Sequence, residues 1–334
     1  MRRREFTIGL ALTTAVRTVR AQEPASRHRI AIIIASGPVT RIDDLGSHAW
    51  QAFWGELRRL GDVEGQNLTI ERYSGEGRPE GYADLAREVV SRSPNVIVPI
   101  SPPILRAVGA ATSTIPIVGS GAYTSLGLVP SLARPVGNVT GITVDTGFEI
   151  YGKRLQILKE AVPSASRVAF LEMRTSRESA EWRQLKEELR TASGRLQISL
   201  TDMLLHESTP SEYQRGFAEL AQDRPDAIFV SGISEFFVYR QLIVDLVEKS
   251  RLPAMYPWRD YVEAGGLMAY GTDFAELWRR LADDVHEVLN GAKPADIPIY
   301  QPTKFEFLIN LKAAKAIGLT IPPALLAIAD EVVE

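Results

Sequence analysis

The chain has 334 residues, 45% of them hydrophobic and 24% charged, with a formal net charge of −3 at pH 7. That length supports two domains, each with its own buried core, and so small a charge excludes a global field favouring nucleic acid or an anionic membrane. The absence of cysteine excludes disulfides, thiol catalysis, cysteine-ligated zinc and anchoring through a lipidated N-terminal Cys.

The first segment has the form of an export signal. A basic start, Met1-Arg2-Arg3-Arg4-Glu5-Phe6, precedes an apolar run over 7–16 and a small residue, Ala21, that suits cleavage. The Arg-Arg-x-Phe order over 3–6 resembles a twin-arginine signal, although Arg17 and Arg20 stand where such signals are usually neutral. The apolar run is too short to span a bilayer. Residues 1–21 are expected to send the chain to the periplasm.

From residue 28 onward, short apolar runs alternate with amphipathic segments, the pattern of an α/β domain with parallel strands. Behind Arg29, the strand over 29–35 is a continuous apolar run, as in a strand buried on both faces. Trp50, Phe53, Trp54, Leu57 and Leu60 share one helical stripe behind Ser47 as cap. Strands follow at 67–73, 95–100 and 115–119, with helices at 81–91 and 104–112 between them, and residues 138–144 close the series. The alternation restarts with a helix over 151–161. Strands at 167–172, 196–201, 226–231 and 253–256 then alternate with helices at 179–192, 211–223 and 235–249. A tail carries strands at 266–270 and 303–308 and helices at 274–289, 310–317 and 324–333. Right-handed crossovers turn each series into a doubly wound sheet. The expected fold is therefore α/β: two doubly wound parallel-sheet lobes joined by a multi-strand hinge. Lobe 1 is expected to hold residues 28–143 plus about 266–297, and lobe 2 residues 144–265 plus about 298–334.

Ligands of such sheets bind beyond the carboxyl ends of the strands. In the first lobe those loops carry Ser36-Gly37, Ser101-Pro102 and Gly121-Ala122-Tyr123. Ser101 fits a helix N-cap with Pro102 as first helical residue, and the free amides there either hold a carboxylate or simply begin a helix. Gly121 and Ala122 allow close backbone approach, and Tyr123 is placed to stack on or bond to a ligand. The matching loops of the second lobe carry Arg174-Thr175, Ser234, Tyr256 and Trp258. Arg174 either faces a carboxylate or is a solvated loop arginine. Thr175 with Glu178 fits a capping box, as do Thr209 with Glu212 and Asp273 with Glu276. Tyr256 and Trp258 either floor an apolar pocket or pack at the hinge. Tyr270 ends a tail strand whose loop is a further candidate for the cleft.

Catalytic constellations are poor. His28, His48, His206 and His286 are scattered without metal-ligand spacing, and His286 reads as a solvated residue on the polar side of its helix. No Gly-x-Ser-x-Gly elbow, P-loop or dinucleotide fingerprint follows a strand. No pair of carboxylates can be assigned to acid–base work from spacing. Neither enzyme activity nor a cofactor or metal is expected.

Several stretches carry a resemblance. They include Leu60-Gly61-Asp62-Val63-Glu64-Gly65-Gln66-Asn67 and Leu252-Pro253-Ala254-Met255-Tyr256-Pro257. Glu263-Ala264-Gly265-Gly266-Leu267-Met268-Ala269-Tyr270-Gly271 and Gln301-Pro302-Thr303-Lys304-Phe305-Glu306 follow. Over nearly the whole chain these resemble the tryptophan/tyrosine-type ABC transporter substrate-binding protein family. The resemblance implies a type I periplasmic-binding fold and the role of extracytoplasmic solute-binding component of an ABC importer. Such a protein captures a small organic ligand, with an amino acid or carboxylate as candidates, in the inter-lobe cleft. It implies a monomer that works with an inner-membrane ABC permease and a separate ATPase, without cofactor or nucleic acid. A ligand-sensing module for a receptor, or an enzyme using the same cleft, is the alternative. Two departures concern cleft loops. The family's Asp-Pro after the fourth strand is here Ala122-Tyr123-Thr124, and its Gly-Thr-Pro after the third is Ile100-Ser101-Pro102. The resemblance thus implies the fold and the transport role, and these two loops separate the chain from the family's pattern at the cleft.

Overall fold

A computed structural model of the chain describes residues 28–43, 47–121, 123, 127–144, 147–174 and 180–334. The expected export signal at 1–21 lies outside the described residues. The first lobe contains β1 (His28–Ile34), α1 (His48–Leu60), β2 (Leu68–Ser74), α2 (Tyr82–Ser91), β3 (Val96–Ile100), α3 (Pro102–Ala111), β4 (Ile117–Gly121) and β5 (Val139–Thr143). These strands form a parallel sheet in the order β2-β1-β3-β4-β5. The second lobe begins with α4 (Glu149–Ala161), β6 (Arg167–Met173), α5 (Ala180–Leu196), β7 (Ser199–Leu205), α6 (Pro210–Asp223) and β8 (Ala227–Val230). It continues with α7 (Ser234–Val238), α8 (Arg240–Ser250), β9 (Ala254–Tyr256), α9 (Arg259–Glu263) and β10 (Met268–Thr272). After α10 (Phe274–Leu289) come β11 (Phe305–Asn310), α11 (Leu311–Ala316), α12 (Pro323–Ile328) and β12 (Glu331–Val333). The second sheet runs β12-β11-β10-β9-β8-β6-β7 and is parallel except where β11 meets β10. Both sheets are doubly wound, with strand order reversing between β1 and β3 and between β6 and β8.

Each sheet is buried on both faces because its central strands are continuously apolar. In the first lobe, Ile30 and Ile32 face α1 and α10, while Ala31 and Ile33 face α2 and α3. In the second, Val168 and Phe170 face α4 and α5, and Ala169 and Leu171 face α6 and α8.

The two lobes start their sheets with the same device. The Arg29 amide donates to Asn95 Oδ1 (2.7 Å), and the Asn95 amide returns a bond to the Arg29 carbonyl (2.8 Å). The Arg29 guanidinium donates to the carbonyls of Arg92 and Ser93, where α2 ends. In the second lobe Arg167 donates its amide to Asp226 (2.8 Å), receives the Asp226 amide (2.8 Å) and caps Asp223 and Arg224 at the end of α6. Ser93 and Arg224 both take a left-handed φ, +51° and +47°, which turns helix carbonyls toward the arginine.

The chain passes between lobes after β5, at 273 and at 301–304. Two expected boundaries are corrected. Residues 266–272 belong to the second lobe, because β10 extends that sheet beside β9. Residues 299–300 stay with the first: the Ile299 amide bonds the Leu132 carbonyl (2.8 Å), and Tyr300 exchanges bonds with Gly141 and Thr143 (2.9 and 2.8 Å). The helix expected over 324–333 is also shorter. It stops at Ile328, and β12 pairs in parallel with β11, where Asp330 receives the Phe307 amide (2.7 Å). A free sheet edge satisfies the backbone there as well as a helix would.

Helix α10 returns to the first lobe and packs along α1. His286 is not merely solvated: its Nδ1 lies 2.6 Å from Asp62 Oδ2 beyond the end of α1. Asp284, on the same helix, is fully buried, and neither carboxylate oxygen has a hydrogen-bond partner. Arg280 Nε stands 3.2 Å away, but burial dominates and pushes the carboxyl up to about 8. A folded state that holds this proton more tightly is most stable below the ordinary carboxylate range of about 4 and loses stability as pH rises toward 8. Asp284→Asn is expected to flatten that loss and to be more stable than wild type near pH 8 by about 1–3 kcal/mol. Denaturant unfolding at pH 5 and about pH 8 checks it; parallel pH profiles for the two proteins would refute a strained carboxylate.

Candidate functional site

The carboxyl ends of β1 and β3 bring Ser36, Gly37, Ser101 and Pro102 to the switch point of the first sheet. Gly37 takes φ +86°, and its carbonyl accepts from Ser74 Oγ (2.6 Å). Pro102 begins α3 as expected. Ser101 does not cap it: its φ of +130° aims the side chain away from the helix amides. The hydroxyl oxygen is buried and has no hydrogen-bond partner among the described residues. For a non-glycine residue this backbone region costs about 1–3 kcal/mol.

The second lobe repeats the arrangement at a position the sequence analysis overlooked. Ser231 follows β8, the counterpart of β3 in the winding order, and is 2% exposed with its hydroxyl likewise unpartnered. The signal was present, since Val230-Ser231 repeats Ile100-Ser101 at the end of an equivalent strand. Nearby, the Tyr151 hydroxyl lies 3.4 Å from the Gly232 amide. Arg154, one turn further along α4, sits over the Tyr151 ring at 5.2 Å. Its guanidinium is buried and donates to the carbonyls of Tyr270 (2.6 Å) and Pro257 (3.1 Å). Burial pulls it down to about 10, so it remains charged at neutral pH.

Other expected site residues fall elsewhere. Tyr123 is a core residue: it has no exposed surface, and its hydroxyl lies 2.5 Å from the Gly119 carbonyl and 2.9 Å from that of Thr140. Gly121 is buried too, its bare Cα making room for Leu105. Tyr256 is 1% exposed and stacks on Tyr261 at 5.1 Å. Arg174 is exposed at the end of β6, with Nη1 3.4 Å from His206 Nδ1. Ser234 opens α7, whereas Ala122 and Thr175 lie outside the described residues. Tyr270 is half-buried and stacks on Phe305 at 5.9 Å. Thr209 and Asp273 cap their helices by accepting from the amides of Glu212 (3.4 Å) and Glu276 (3.1 Å), but neither expected capping box closes, because Glu212 accepts from the His206 amide and Glu276 from the Tyr300 hydroxyl instead; the third, at Thr175, lies outside the described residues.

Trp258 takes the hinge position. Its ring lies 5.7 Å from Phe237 and 5.4 Å from Phe274; Phe274 lies 5.3 Å from Trp278, and Trp278 6.4 Å from Trp50. This aromatic series runs from one lobe to the other through the crossing at 273. Beside it lies a cavity of about 570 Å³. The first lobe contributes Arg41, Ser47, His48 and Trp50, and the second Phe237, Arg240, Asp260 and Glu263. His48 Nδ1 and Glu263 approach to 3.9 Å across it. From sequence, Ser47, His48 and Trp50 had other readings and none of these lining residues was a site candidate, because they meet only when the lobes do.

A family model described as ABC transporter substrate binding protein matches residues 48–333. A tyrosine-binding protein of Clostridioides difficile (strain R20291) is 23% identical over 273 residues, covering 81% of this chain and 76% of that protein. Among solved structures, a conserved domain protein from Vibrio cholerae shares 24% identity with a TM-score of 0.78, covering 92% of this chain and 100% of that one. An ABC domain from Streptococcus pneumonia, solved in complex with L-Trp, shares 21% identity with a TM-score of 0.77 and the same coverage. The structural likenesses concern the fold, a pair of lobes of the type I periplasmic-binding class.

The strain at Ser101 and the packing over Tyr123 each predict a measurable outcome. Ser101→Gly relieves the strained backbone and should stabilise the ligand-free chain by about 1 kcal/mol, a few degrees of unfolding temperature. A drop in thermal stability would show that the residue is not strained. Gly141 takes φ +129°, and a Cβ there would lie 2.1 Å from the Gly119 carbonyl oxygen and 2.7 Å from the Tyr123 hydroxyl. Gly141→Ala should therefore destabilise by at least about 3 kcal/mol or prevent folding; wild-type stability in a denaturant titration would contradict the packing described.

Proposed function

We propose that this chain, which belongs to the ABC transporter substrate-binding protein family, is the extracytoplasmic solute-binding component of an importer. It captures a small organic ligand, an amino acid or carboxylate, between its lobes. The observation that carries this reading is the pair of unpartnered hydroxyls, Ser101 and Ser231, at equivalent strand ends of the two lobes. A buried hydroxyl without a partner costs about 1–3 kcal/mol. A ligand that offers hydrogen-bonding groups to both lobes removes that cost in the closed form alone, and such differential contact is what shifts an open–closed equilibrium. The strained Ser101 fits the same role, since strain persists where it serves a site.

The cycle is capture and delivery. The open lobes bind ligand, close over it as a monomer, and present it to a membrane permease driven by a separate ATPase. The ligand is handed on chemically unchanged. Among the described residues no helix is long and apolar enough to cross a membrane, in keeping with a protein that docks on a membrane partner. Relatives named for tyrosine binding or solved with L-Trp support amino acids as the first candidates.

Thermal unfolding against amino acids, small carboxylates, sugars and nucleosides tests the proposal. A ligand at 100 times its dissociation constant adds about 2.7 kcal/mol, worth roughly 5–10 °C for lobes of this size. A selective rise with one chemical class, with the compound recovered intact, is the expected result. No shift with any solute, or turnover of one, would overturn solute capture. Ser101→Gly should diminish the ligand-induced rise even as it stabilises the free protein.

A further inference from the structure

We propose that the inter-lobe cavity beside the hinge is an anion subsite, where Arg41 of the first lobe and Arg240 of the second grip one carboxylate-bearing organic ligand. The inference rests on the solute-capture reading and adds to it the charge of the solute and the residues that recognise it.

Among the described residues neither arginine makes an ion pair with a carboxylate, although the charge of Arg240 acts on the buried Asp260. Arg72, Arg215 and Arg259, by contrast, each make ion pairs at 2.6–2.7 Å. Arg240 is held ready without one. Its Nη1 donates to the Phe237 carbonyl (3.2 Å), and its guanidinium lies 4.8 Å over the Phe237 ring, leaving the rest of its N–H fork for a planar acceptor. Arg41 ends a short 3-10 turn, and its side chain lies along the backbone of Gly37, where a Cβ would stand 3.5 Å away. That contact places it between the switch-point loop and the cavity.

The other charges around the cavity are already engaged. Glu263 stands 3.9 Å from both His48 and Arg259. Asp260 is 8% exposed, and burial raises its affinity for a proton against the opposing field of Arg240 and His48. The N-terminal amides of α1 open beside Ser47, whose side chain does not cap them, and they add positive potential. Trp50 and Phe237 supply apolar walls. The volume of about 570 Å³ suits an organic molecule better than an inorganic ion.

Two guanidinia from opposite lobes repel when the lobes close on nothing, and one anion between them turns that repulsion into attraction. Closure thereby becomes conditional on the ligand's charge.

The test uses the full chain with 3-phenylpropionate and its uncharged counterpart 3-phenylpropionamide, followed by calorimetry and thermal unfolding. The acid should bind and the amide should not, and added salt should weaken the acid. Arg41→Gln and Arg240→Gln should each weaken acid binding about tenfold, and the double variant should abolish it. Arg240→Lys should recover only part of the affinity, because it keeps the charge and loses the fork. Unfolding temperatures of the ligand-free variants establish that each is folded. Equal binding of acid and amide, or wild-type affinity in both single variants, overturns the subsite. Silence toward the acid with a clear response to neutral solutes also overturns it while solute capture stands. Silence toward every solute overturns both.

Discussion

The buried guanidinium of Arg154 holds the junction between the lobes together. It belongs to α4, the first element after the chain enters the second lobe. Its acceptors are the carbonyls of Pro257 and Tyr270, at the ends of β9 and β10. β10 is the strand from which the chain leaves again. One side chain thus ties an entry to an exit. Burying a charge in this way is costly unless the hydrogen bonds are well made, and here carbonyl dipoles and the Tyr151 ring replace the lost water. The arrangement also demands that β10 pass very close to the loop after β9. A Cβ on Gly271 would stand 1.9 Å from the Pro257 carbonyl oxygen, so only glycine is tolerated there. The second-lobe side of the junction is therefore closely packed around one charge, with no room for a side chain at Gly271.

Around that junction the two lobes are variations of one design. Arg29 with Asn95 and Arg167 with Asp226 begin the sheets by the same bonds, and Ser101 and Ser231 end the equivalent strands. The asparagine-to-aspartate exchange is not neutral. Asp226 accepts two backbone amides and the Ser166 hydroxyl, which hold its carboxyl below the usual range. The strand starts are cross-linked by these side chain–backbone bonds. The strand ends are the reverse, with strain and unanswered hydroxyls collected where the lobes face each other. Satisfied and unsatisfied polar groups thus lie at opposite ends of the same five or so residues.

Much of this frame was legible in the sequence because it depends on local patterns. Helix α10 falls on the expected residues since Asp273 caps it and one apolar stripe runs its length. The buried strands were legible because burial on both faces leaves an uninterrupted apolar run. The tail was harder: Val332 and Val333 fit helix or strand equally, and only the open edge of β11 decides for the strand. The site was less legible still. Tyr123 and Tyr256 follow or end strands, where an aromatic ring can turn toward a ligand or into the core. Gly141 decides the first by leaving space above Gly119, and Gly266, lying against the Tyr256 ring, decides the second. His286 with Asp62, and Arg41 with Arg240, are brought together by tertiary structure across long separations and leave no spacing to read.

The aromatic series across the hinge has a consequence of another kind. Of five tryptophans in the chain, Trp50, Trp54, Trp258 and Trp278 belong to one run of rings whose neighbours are 5.3–6.4 Å apart. Three of them sit in the first lobe and Trp258 in the second, with Phe274 at the crossing between. A change in the angle between the lobes is therefore also a change in how indole rings stack and in how much water reaches them. The molecule's own tryptophans would therefore report any such change in angle, with no label attached.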